Sequence, residues 1–346
     1  MPVPRGGRTL SAAAEPLLAV SDVRKTFPVR RPFWERTRRP APRAIAVDGV
    51  TLEVARGERL GLVGESGSGK TTLARAILRL IEPDSGSIRF DGRELVGAGR
   101  AEVQAVRRRM QMVFQDPYSS LNPRLKVGAA IAEPARVHGV VTGPEADAHV
   151  ERMLDLVGLP ASAAERYPRQ LSGGQRQRVA IARALAVEPE FLIADEPVSA
   201  LDVSIQAQIL NLLDDLLDRL GLGMIFIAHQ LSVVRHVADR VAIMYLGRVV
   251  EIGPTDAVFE DPQHPYTKAL LAAAPVPDPH AVKERSATIG DIPSPLRIPS
   301  GCRYRTRCTY ADERSEREDP ALVEVGPGHF AACHVLPFRG DRTAAG

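Results

Sequence analysis

The segment GESGSGKTT, from Gly64 to Thr72, contains the residue types that bind a nucleoside triphosphate. It fits the pattern G-x-x-x-x-G-K-[ST] and lies between a strand-like run and a helix-like run. Glycines allow backbone N–H groups to approach phosphates, and a helix N-terminus adds partial positive charge. Lys70 is expected to reach the β- and γ-phosphates, and the Thr71 hydroxyl to bind Mg²⁺. The predicted nucleotide-binding residues are Gly64, Glu65, Ser66, Gly67, Ser68, Gly69, Lys70, Thr71 and Thr72.

Two carboxylates, Asp195 and Glu196, follow the apolar run FLIA. At the end of a buried strand, Asp195 can hold Mg²⁺ through water, and Glu196 can polarise a water molecule for attack on the γ-phosphate. An Asp-Glu pair alone is usually a solvated strand end. Its position after the phosphate loop and before PVSALD favours the catalytic interpretation.

A second glycine pair occurs in LSGGQRQR, from Leu171 to Arg178, where another helix is predicted to begin. One nucleotide needs one phosphate-binding loop, so this second loop has no phosphate to bind within its own chain. We interpret it as an anion site that does not serve this chain's own nucleotide.

Strand-like apolar runs alternate with helical patterns along most of the chain. This alternation predicts an α/β fold with a mostly parallel sheet covered on both faces. Helices are expected at 70–81, 175–187 and 203–220, and residues 122–170 look helical and irregular. The last of these helices should begin after Asp202 and stop at Gly221. Its predicted apolar face consists of Ile205, Ile209, Leu213, Leu216 and Leu220.

The 346 residues carry a formal net charge of +3, so overall charge indicates neither an acidic nor a basic partner. No apolar run approaches the roughly 20 residues needed to span a bilayer. Residues 1–16 lack the apolar centre of a signal peptide and are expected to form a disordered tail. These features favour a cytoplasmic protein. The composition changes after residue 271, and all three cysteines follow residue 300.

Taken in order, the motifs of residues 17–270 closely resemble those of the nucleotide-binding subunits of ATP-binding cassette (ABC) transporters. The resemblance implies a P-loop NTPase core with a mostly parallel sheet, an antiparallel β subdomain and a helical subdomain at about 118–178. It implies an ABC ATPase domain at 17–271 and a small C-terminal extension at 272–346.

The same resemblance implies roles for residues outside the phosphate loop. Phe27 matches the aromatic residue that stacks on adenine, and Gln115 the glutamine that senses Mg²⁺ and the attacking water. His229 matches the histidine that contacts the γ-phosphate. The implied catalytic residues are Glu196, His229 and Gln115. The implied Mg²⁺ ligands are Thr71, Gln115 and Asp195. The resemblance also implies contacts with a second, head-to-tail cassette and its ATP, made by Ser172, Gly173, Gly174, Gln175 and Asp202.

Several segments resemble importers of the dipeptide and oligopeptide type, among them FQDPYSSLNPR, HPYTKALLAAAPVPDP and IPSPLRIPSGCRYRTRC. The insertion RRPFWERTRRPAPRAIAVDGV resembles the second of the two paired ATPase subunits of such importers. The implied partners are a second cassette, two transmembrane permeases and, indirectly, an extracytoplasmic solute-binding protein, with this chain peripheral at the cytoplasmic face of the inner membrane. The solute is left open between peptides, nickel complexes, glutathione and sugars.

Two other classes of protein remain alternatives. One is a soluble cassette ATPase acting on nucleic acid or ribosomes, which the single cassette without inserted arms disfavours. The other is a module that binds nucleotide without turnover, which Glu196 and His229 disfavour. For the arginine-rich insertion at 30–43, contact with lipid headgroups or a permease and a solvated loop are equally compatible with the sequence. Nucleic-acid binding is not expected.

The chain departs from the family pattern in two places. Ala228-His229-Gln230 stands where the family usually has Ser/Thr-His-Asp. Cys302, Cys308 and Cys333 resemble three of the four cysteines that hold an iron–sulfur cluster in some members, with Ser315 at the fourth position. Four alternatives remain open. The cluster is lost, or it binds through three thiolates, or the three cysteines bind zinc together with His329 or His334, or the cysteines only pack in a small core.

Overall fold

The computed structural model describes residues 15–29, 42–273 and 291–335. The predicted tail at 1–16 therefore lies almost wholly outside the described residues, as does the insertion from Arg30 to Ala41 with Arg30, Arg31, Phe33, Trp34, Arg36, Arg38 and Arg39. The described strands are β1 (Leu18–Pro28), β2 (Arg43–Val54), β3 (Arg59–Val63), β4 (Ser85–Phe90), β5 (Arg93–Glu94), β6 (Met110–Val113), β7 (Phe191–Asp195), β8 (Gly223–Ala228), β9 (Arg240–Tyr245), β10 (Arg248–Pro254), β11 (Val323–Gly326) and β12 (His329–Ala331). The described helices are α1 (Lys70–Ile77), α2 (Arg100–Arg109), α3 (Pro117–Ser120), α4 (Val127–Val137), α5 (Glu145–Leu156), α6 (Gly173–Leu185), α7 (Val203–Leu220), α8 (Leu231–Val237), α9 (Thr255–Glu260), α10 (Pro265–Ala273) and α11 (Glu313–Arg317).

The chain folds into two compact units, each built from separate segments. Of the described residues, the first unit contains those up to Leu18, Val54–Arg59 and Arg89–Ile227. The second contains the described residues of Ala19–Glu53, Leu60–Ile88 and those from Ala228 onward.

The first unit contains the parallel strands β6, β7 and β8, hydrogen-bonded in that order. Met112 pairs with Ile193, and Ile193 pairs with Ile225. Every residue of β7 and β8 is buried. Strands covered on both faces require continuous apolar runs, and this explains why FLIA and MIFIA lack an alternating pattern. The predicted parallel sheet is confirmed here.

Helices make up most of the remaining first unit. Between Pro117 and Leu185 the chain forms α3 to α6, joined by two short 3₁₀ turns. The longest described helix, α7, buries Ile209, Leu213, Leu216 and Leu217. The predicted apolar face is wrong at Leu220, which is 44% exposed because the helix ends there, at Gly221 with φ of 65°. Among the described residues, no helix combines the length and apolar character required to cross a bilayer.

In the second unit, β11, β12, β10, β9 and β3 are hydrogen-bonded in that order. The strands β3 and β9 are parallel, and β9 and β10 form the antiparallel hairpin predicted for RVAIMYLGRVVEIG. β12 then pairs with β10, with Ile252 opposite Phe330. Two strands of the predicted C-terminal extension therefore continue the sheet that contains β3, the strand leading into the phosphate loop.

Helix α1 ends at Ile77, four residues before the predicted end at Ile81. Arg79 adopts a left-handed conformation with φ of 54°, and the amides of Leu80 and Ile81 both donate to Arg75 O. This is a helix-terminating turn that usually requires glycine, so the apolar spacing alone did not reveal it. As a consequence, Leu80 is exposed.

Candidate nucleotide-binding site

The phosphate loop lies in the second unit, between the fully buried strand β3 and helix α1. Two of its glycines are required by close backbone contacts. A Cβ atom added at Gly64 would lie 2.1 Å from Met244 O, and one added at Gly69 would lie 2.0 Å from Ala46 O. Gly69 also has φ of 106°, which side chains rarely tolerate. A side chain at either position would therefore clash with the neighbouring backbone and prevent this loop conformation.

Lys70 is buried, and its ammonium lies over the phosphate loop. It donates to Gly64 O at 2.7 Å, to Glu65 O at 3.0 Å and to Ser68 Oγ at 3.3 Å. Ser66 and Gly67 are exposed at the tip of the loop, and Thr71 and Thr72 follow Lys70 in the first turn of α1, half-buried. This arrangement places a cation and a series of backbone amides around one concave loop, as phosphate binding requires.

Phe27 is near the end of β1, also in the second unit, and is 39% exposed. The preceding residue, Thr26, is fixed by Asp84, which accepts hydrogen bonds from Thr26 N at 2.8 Å and Thr26 Oγ1 at 2.7 Å. Lys25 adds an ion pair to Asp84 at 2.9 Å. Although partial burial opposes it, hydrogen bonding to Thr26 and Lys25 holds the pKa of Asp84 well below its usual value. The exposed ring is therefore carried on a well-anchored strand end, as stacking on a base requires.

His229 follows β8 directly and is exposed, one residue before the N-cap of α8. Gln230 occupies that N-cap position and makes no side-chain capping hydrogen bond. Aspartate is a better capping residue than glutamine because its short carboxylate reaches the first amides of the helix. With Gln230 in place of the family's usual aspartate, the turn after His229 is therefore held differently.

In the first unit, Asp195 is the last residue of β7 and is only 3% exposed. Glu196 follows in the left-handed region with φ of 46°. Its backbone is fixed by Ile227 O, which accepts from Glu196 N at 3.0 Å, and by Ser199 Oγ, which donates to Glu196 O at 3.1 Å. Non-glycine residues in this conformation cost roughly 1–3 kcal/mol and cluster at active sites.

Gln115 lies just beyond β6, and its side-chain amide donates to Glu196 Oε2 at 2.8 Å. The parallel pairing of β6 with β7 brings the two residues together, because both follow the carboxyl ends of neighbouring strands. Two of the three predicted catalytic residues are thus in direct contact within the first unit.

The second glycine pair opens α6, with Ser172 as its N-cap. Gln175 N donates to Ser172 Oγ at 3.3 Å, and Ser172 N donates to Gln175 Oε1 at 3.1 Å, which completes a capping box. Gly174 has to be small because an added Cβ would lie 2.7 Å from Ile205 Cγ2. Ser172 itself is exposed, so the helix start is presented on the surface of this unit.

Asp202 is the N-cap residue of α7, as predicted, but its side chain makes no capping hydrogen bond. The loop before it is held instead by Gln206, whose amide donates to Val198 O and to Leu201 O, both at 2.9 Å. Asp202 is exposed and so projects from a fixed loop. Gln206 was missed by the sequence analysis because glutamine inside a helix carries no distinctive signal.

The proposed Mg²⁺ ligands Thr71, Gln115 and Asp195 offer a hydroxyl, an amide and a carboxylate oxygen. Hard oxygen donors are the ligands that Mg²⁺ prefers, so the donor set fits this ion.

Cys302, Cys308 and Cys333 line one small cavity together with Ser315 and His334. The Ser315 hydroxyl donates to Asp312 Oδ1 at 2.7 Å as part of the cap of α11, and Cys333 Sγ donates to Val335 O at 2.8 Å. Burial raises the pKa of each thiol, that of Cys333 to about 12. Within the part of the chain that the structure describes, no three His, Cys, Asp or Glu side chains are placed to hold a metal ion. The residues present do not fit a four-thiolate cluster.

Two further residues contact the phosphate loop and were not predicted. Tyr266 Oη accepts a hydrogen bond from Glu65 N at 2.8 Å, and Arg307 forms a bidentate ion pair with the Glu65 carboxylate. Both residues lie within segments quoted above only for their family resemblance, HPYTKALL and IPSGCRYRTRC. No local pattern of residue types marked either residue, because each meets the loop only through the tertiary structure.

Comparison with known families identifies two regions. Residues 47–199 match the family model described as "ABC transporter", and residues 250–314 match "Oligopeptide/dipeptide transporter, C-terminal region". A putative peptide import ATP-binding protein of Brucella ovis is 53% identical over 83% of this chain and 90% of its own length. The chain belongs to the ABC transporter family. An oligopeptide transport ATP-binding protein of Bacillus subtilis is 45% identical to this ABC ATPase over 94% of the chain and 99% of its own length.

Solved ABC cassettes have the same fold. The ATP-binding cassette MJ0796, in a dimeric post-hydrolysis state with ADP and phosphate, has a TM-score of 0.60 and 29% identity over 69% of this chain and 98% of its own. CbiO1 of Clostridium perfringens, part of a transporter complex, has a TM-score of 0.61 and 28% identity over 72% of this chain and 92% of its own. This ABC ATPase therefore has the predicted fold and belongs to a class that hydrolyses ATP. The alternative of a cassette acting on nucleic acid or ribosomes is not favoured.

Proposed function

We propose that this ABC ATPase is one of two paired ATP-hydrolysing subunits of an importer for peptides or related small solutes. The observation that carries the proposal is the match of residues 250–314 to the oligopeptide/dipeptide transporter C-terminal region, in a chain that also carries a cassette. Relatives named for peptide and oligopeptide transport, of nearly the same length, support it.

The proposed chemistry assigns a task to each of the predicted site residues. The loop amides from Gly64 to Thr72 and Lys70 bind the phosphates, and Phe27 stacks on the adenine. Glu196 orients and polarises the attacking water, while Gln115 positions Glu196 and His229 contacts the γ-phosphate. Thr71, Gln115 and Asp195 would hold Mg²⁺, which would supply positive charge against the phosphates.

Ser172, Gly173, Gly174 and Gln175 serve the ATP bound by a second cassette. Support comes from the geometry of α6, since an exposed, capped helix start with small residues is suited to an anion from outside the chain. Asp202 takes part in the same head-to-tail contact. ATP binding would then join the two cassettes, and hydrolysis would release them.

Two transmembrane permeases complete the proposed importer, and an extracytoplasmic solute-binding protein delivers the solute to them. This chain would attach to the permeases at the cytoplasmic face of the membrane. The cysteine cavity is proposed to hold no four-iron cluster, with zinc-bound and metal-free forms as the two alternatives.

The test is reconstitution of the chain with its partner cassette, both permeases and the binding protein in lipid vesicles. Peptides should raise ATP hydrolysis and be taken up, whereas the Glu196→Gln complex should do neither. Parallel assays with a nickel complex, glutathione and a sugar decide the solute class. Stimulation by one of these and not by peptides would contradict the peptide assignment, and an assembled complex without ATP hydrolysis would contradict the function itself.

A further inference from the structure

Glu65, the second residue of the phosphate loop, is held at three points. Tyr266 Oη accepts from its amide at 2.8 Å, and Lys70 Nζ donates to its carbonyl at 3.0 Å. Arg307 donates to both oxygens of its carboxylate, at 2.7 and 3.0 Å. Tyr266 and Arg307 are distant in sequence from the loop and lie in residues 250–314, here called the C-terminal region. The C-terminal region therefore holds the amide and the carboxylate of Glu65, whereas its carbonyl accepts hydrogen bonds from Lys70 and from Ser68 N within the loop.

The surroundings of Arg307 make this ion pair strong. Arg307 is 6% exposed, and its guanidinium lies 5.9 Å from the Tyr245 ring and 5.8 Å from the Tyr304 ring. Low exposure reduces solvent screening, and bidentate geometry fixes orientation as well as distance. Hydrogen bonding to Glu65 raises the pKa of Arg307 although burial opposes it, and burial raises the pKa of Tyr266, so the cation and the phenol persist at physiological pH.

Tyr266 is itself fixed by buried polar contacts. Its amide donates to His264 Nδ1 at 3.1 Å, and the amide of His264 donates to Glu251 Oε2 at 2.9 Å. Glu251 is fully buried in β10, and its other oxygen lies 2.8 Å from His329 Nε2. The rings of Tyr266 and Tyr304 are packed 5.4 Å apart. The Tyr266 hydroxyl is therefore held in a fixed position, from which it accepts the hydrogen bond of Glu65 N.

A second contact to the phosphate loop comes from the turn between β9 and β10. Gly247, in the turn between β9 and β10, donates its amide to Ser68 O at 2.8 Å. The neighbouring carbonyl of Leu246 accepts a hydrogen bond from Arg303, which also pairs with Asp48. The C-terminal region thus reaches the loop at Ser68 only indirectly, because Arg303 holds the β9–β10 turn that contacts Ser68.

We propose that Tyr266 and Arg307 are positioning residues for ATP binding, because they hold the phosphate loop in its binding conformation through Glu65. Neither residue touches the phosphates in this proposal. Without these contacts the loop would have to be ordered when ATP binds, which lowers affinity by about five- to thirtyfold, the scale of ordering one residue's backbone. The inference rests on the proposed function of the loop as the ATP site.

The test measures Mg-ATP affinity of the full-length chain by calorimetric titration. Tyr266→Phe removes only the hydroxyl, and Arg307→Met removes the charge at similar length. Each should raise Kd about five- to thirtyfold. The matched control is Arg305→Met, in the same 3₁₀ turn, because Arg305 donates to Ser300 O at 2.8 Å and not to Glu65; its Kd should stay within about twofold.

Two further readouts separate positioning from a general loss of structure. In the assembled transporter at saturating ATP, the variants should retain kcat within about twofold while KM rises, since the reacting groups are intact. The double variant Glu65→Gln/Arg307→Met should bind no more weakly than the worse single variant, because both changes break one contact. If Arg307→Met does not fold, Tyr266→Phe decides alone.

Unchanged Kd in folded Tyr266→Phe, or fully additive effects in the double variant, would overturn the inference and leave the ATP site untouched. A wild-type chain that binds Mg-ATP no better than Lys70→Ala would instead overturn the proposed function, and the inference with it.

Discussion

The side-chain amide of Gln115 donates a hydrogen bond to Glu196 Oε2, with 2.8 Å between the heavy atoms. The two residues are 81 positions apart, and the pairing of β6 with β7 brings them together. Glu196 is in addition held in a left-handed backbone conformation. A carboxylate whose backbone and side chain are both fixed has the orientation that a general base requires.

Glu196→Gln should slow ATP hydrolysis by about a hundredfold or more, the scale of losing a positioned base. ATP affinity should be nearly unchanged because glutamine occupies the same space. Steady-state hydrolysis by the assembled complex and nucleotide titration of the chain measure the two effects. Lys70→Ala is the control, since it should weaken binding itself. Undiminished turnover in Glu196→Gln would remove Glu196 from the role of base.

Ser172→Arg should impair hydrolysis in the assembled complex while leaving ATP binding by the isolated chain unchanged. The long cation would block the exposed start of α6 where the partner's γ-phosphate is proposed to bind. Ser172→Ala serves as the steric control: it removes the hydroxyl and with it the helix cap, an effect of about 0.5–2 kcal/mol on stability, but places no bulk or charge at the start of α6, so it should impair hydrolysis less than Ser172→Arg. Full hydrolysis by a dilute chain verified as monomeric would contradict the head-to-tail arrangement.

Phe27→Ala should weaken the binding of ATP and of GTP to a similar degree. The exposed ring offers stacking area without hydrogen bonds to the base edge, and such stacking is worth about 1–3 kcal/mol per base on single-stranded nucleic acid. Competitive titration with both nucleotides measures the effect, and Phe27→Trp, which preserves stacking, should remain close to wild type. Complete rejection of GTP by the wild-type chain would indicate a polar contact with adenine.

Acidification should destabilise the chain through His264. Burial lowers the pKa of His264 to about 4, and the nearby Glu251 opposes this shift only in part. The unfolded chain binds the proton near pH 6.5 and the folded chain only near pH 4, so stability falls as the pH is lowered between these values. The loss is at most about 3 kcal/mol.

Unfolding followed from pH 7 to pH 4.5 tests this expectation. His264→Asn keeps an acceptor for the Tyr266 amide but does not titrate, so its stability should vary less with pH than that of wild type. His236→Asn, at an exposed position of α8, should retain the wild-type slope. Equal slopes for wild type and His264→Asn would show that His264 is not the titrating group.

The chain purified without oxygen should contain no stoichiometric iron and sulfide. Ser315 is engaged in the cap of α11 and is a poor substitute for a thiolate. Metal analysis and visible absorption measure this directly, and zinc content separates the zinc-bound from the metal-free form. Ser315→Cys should gain iron if the three cysteines are positioned as ligands. A brown wild-type protein with near-stoichiometric iron would contradict the prediction.

Much of the fold was predictable because its signals are local. The buried strands β7 and β8 need continuous apolar residues, and the β9–β10 hairpin is marked by Gly247 between two such runs. Errors arose where local spacing continued beyond the real element. The apolar pattern of α1 extends to Ile81, but the left-handed Arg79 ends the helix, and such a conformation is not encoded by residue type as it is for glycine.

By itself, the sequence determined the phosphate loop, the carboxylates after β7 and the capped glycine pair of α6. In each case the functional groups are neighbours along one strand, turn or helix, so their spacing in sequence fixes their spacing in space. The partners of those groups were decided only by the tertiary structure. Gln115 contacts Glu196 across 81 residues, and Arg307 contacts Glu65 across 242. Such contacts depend on which strands pair and on how the chain returns to the sheet, and no local pattern of residue types carries that information.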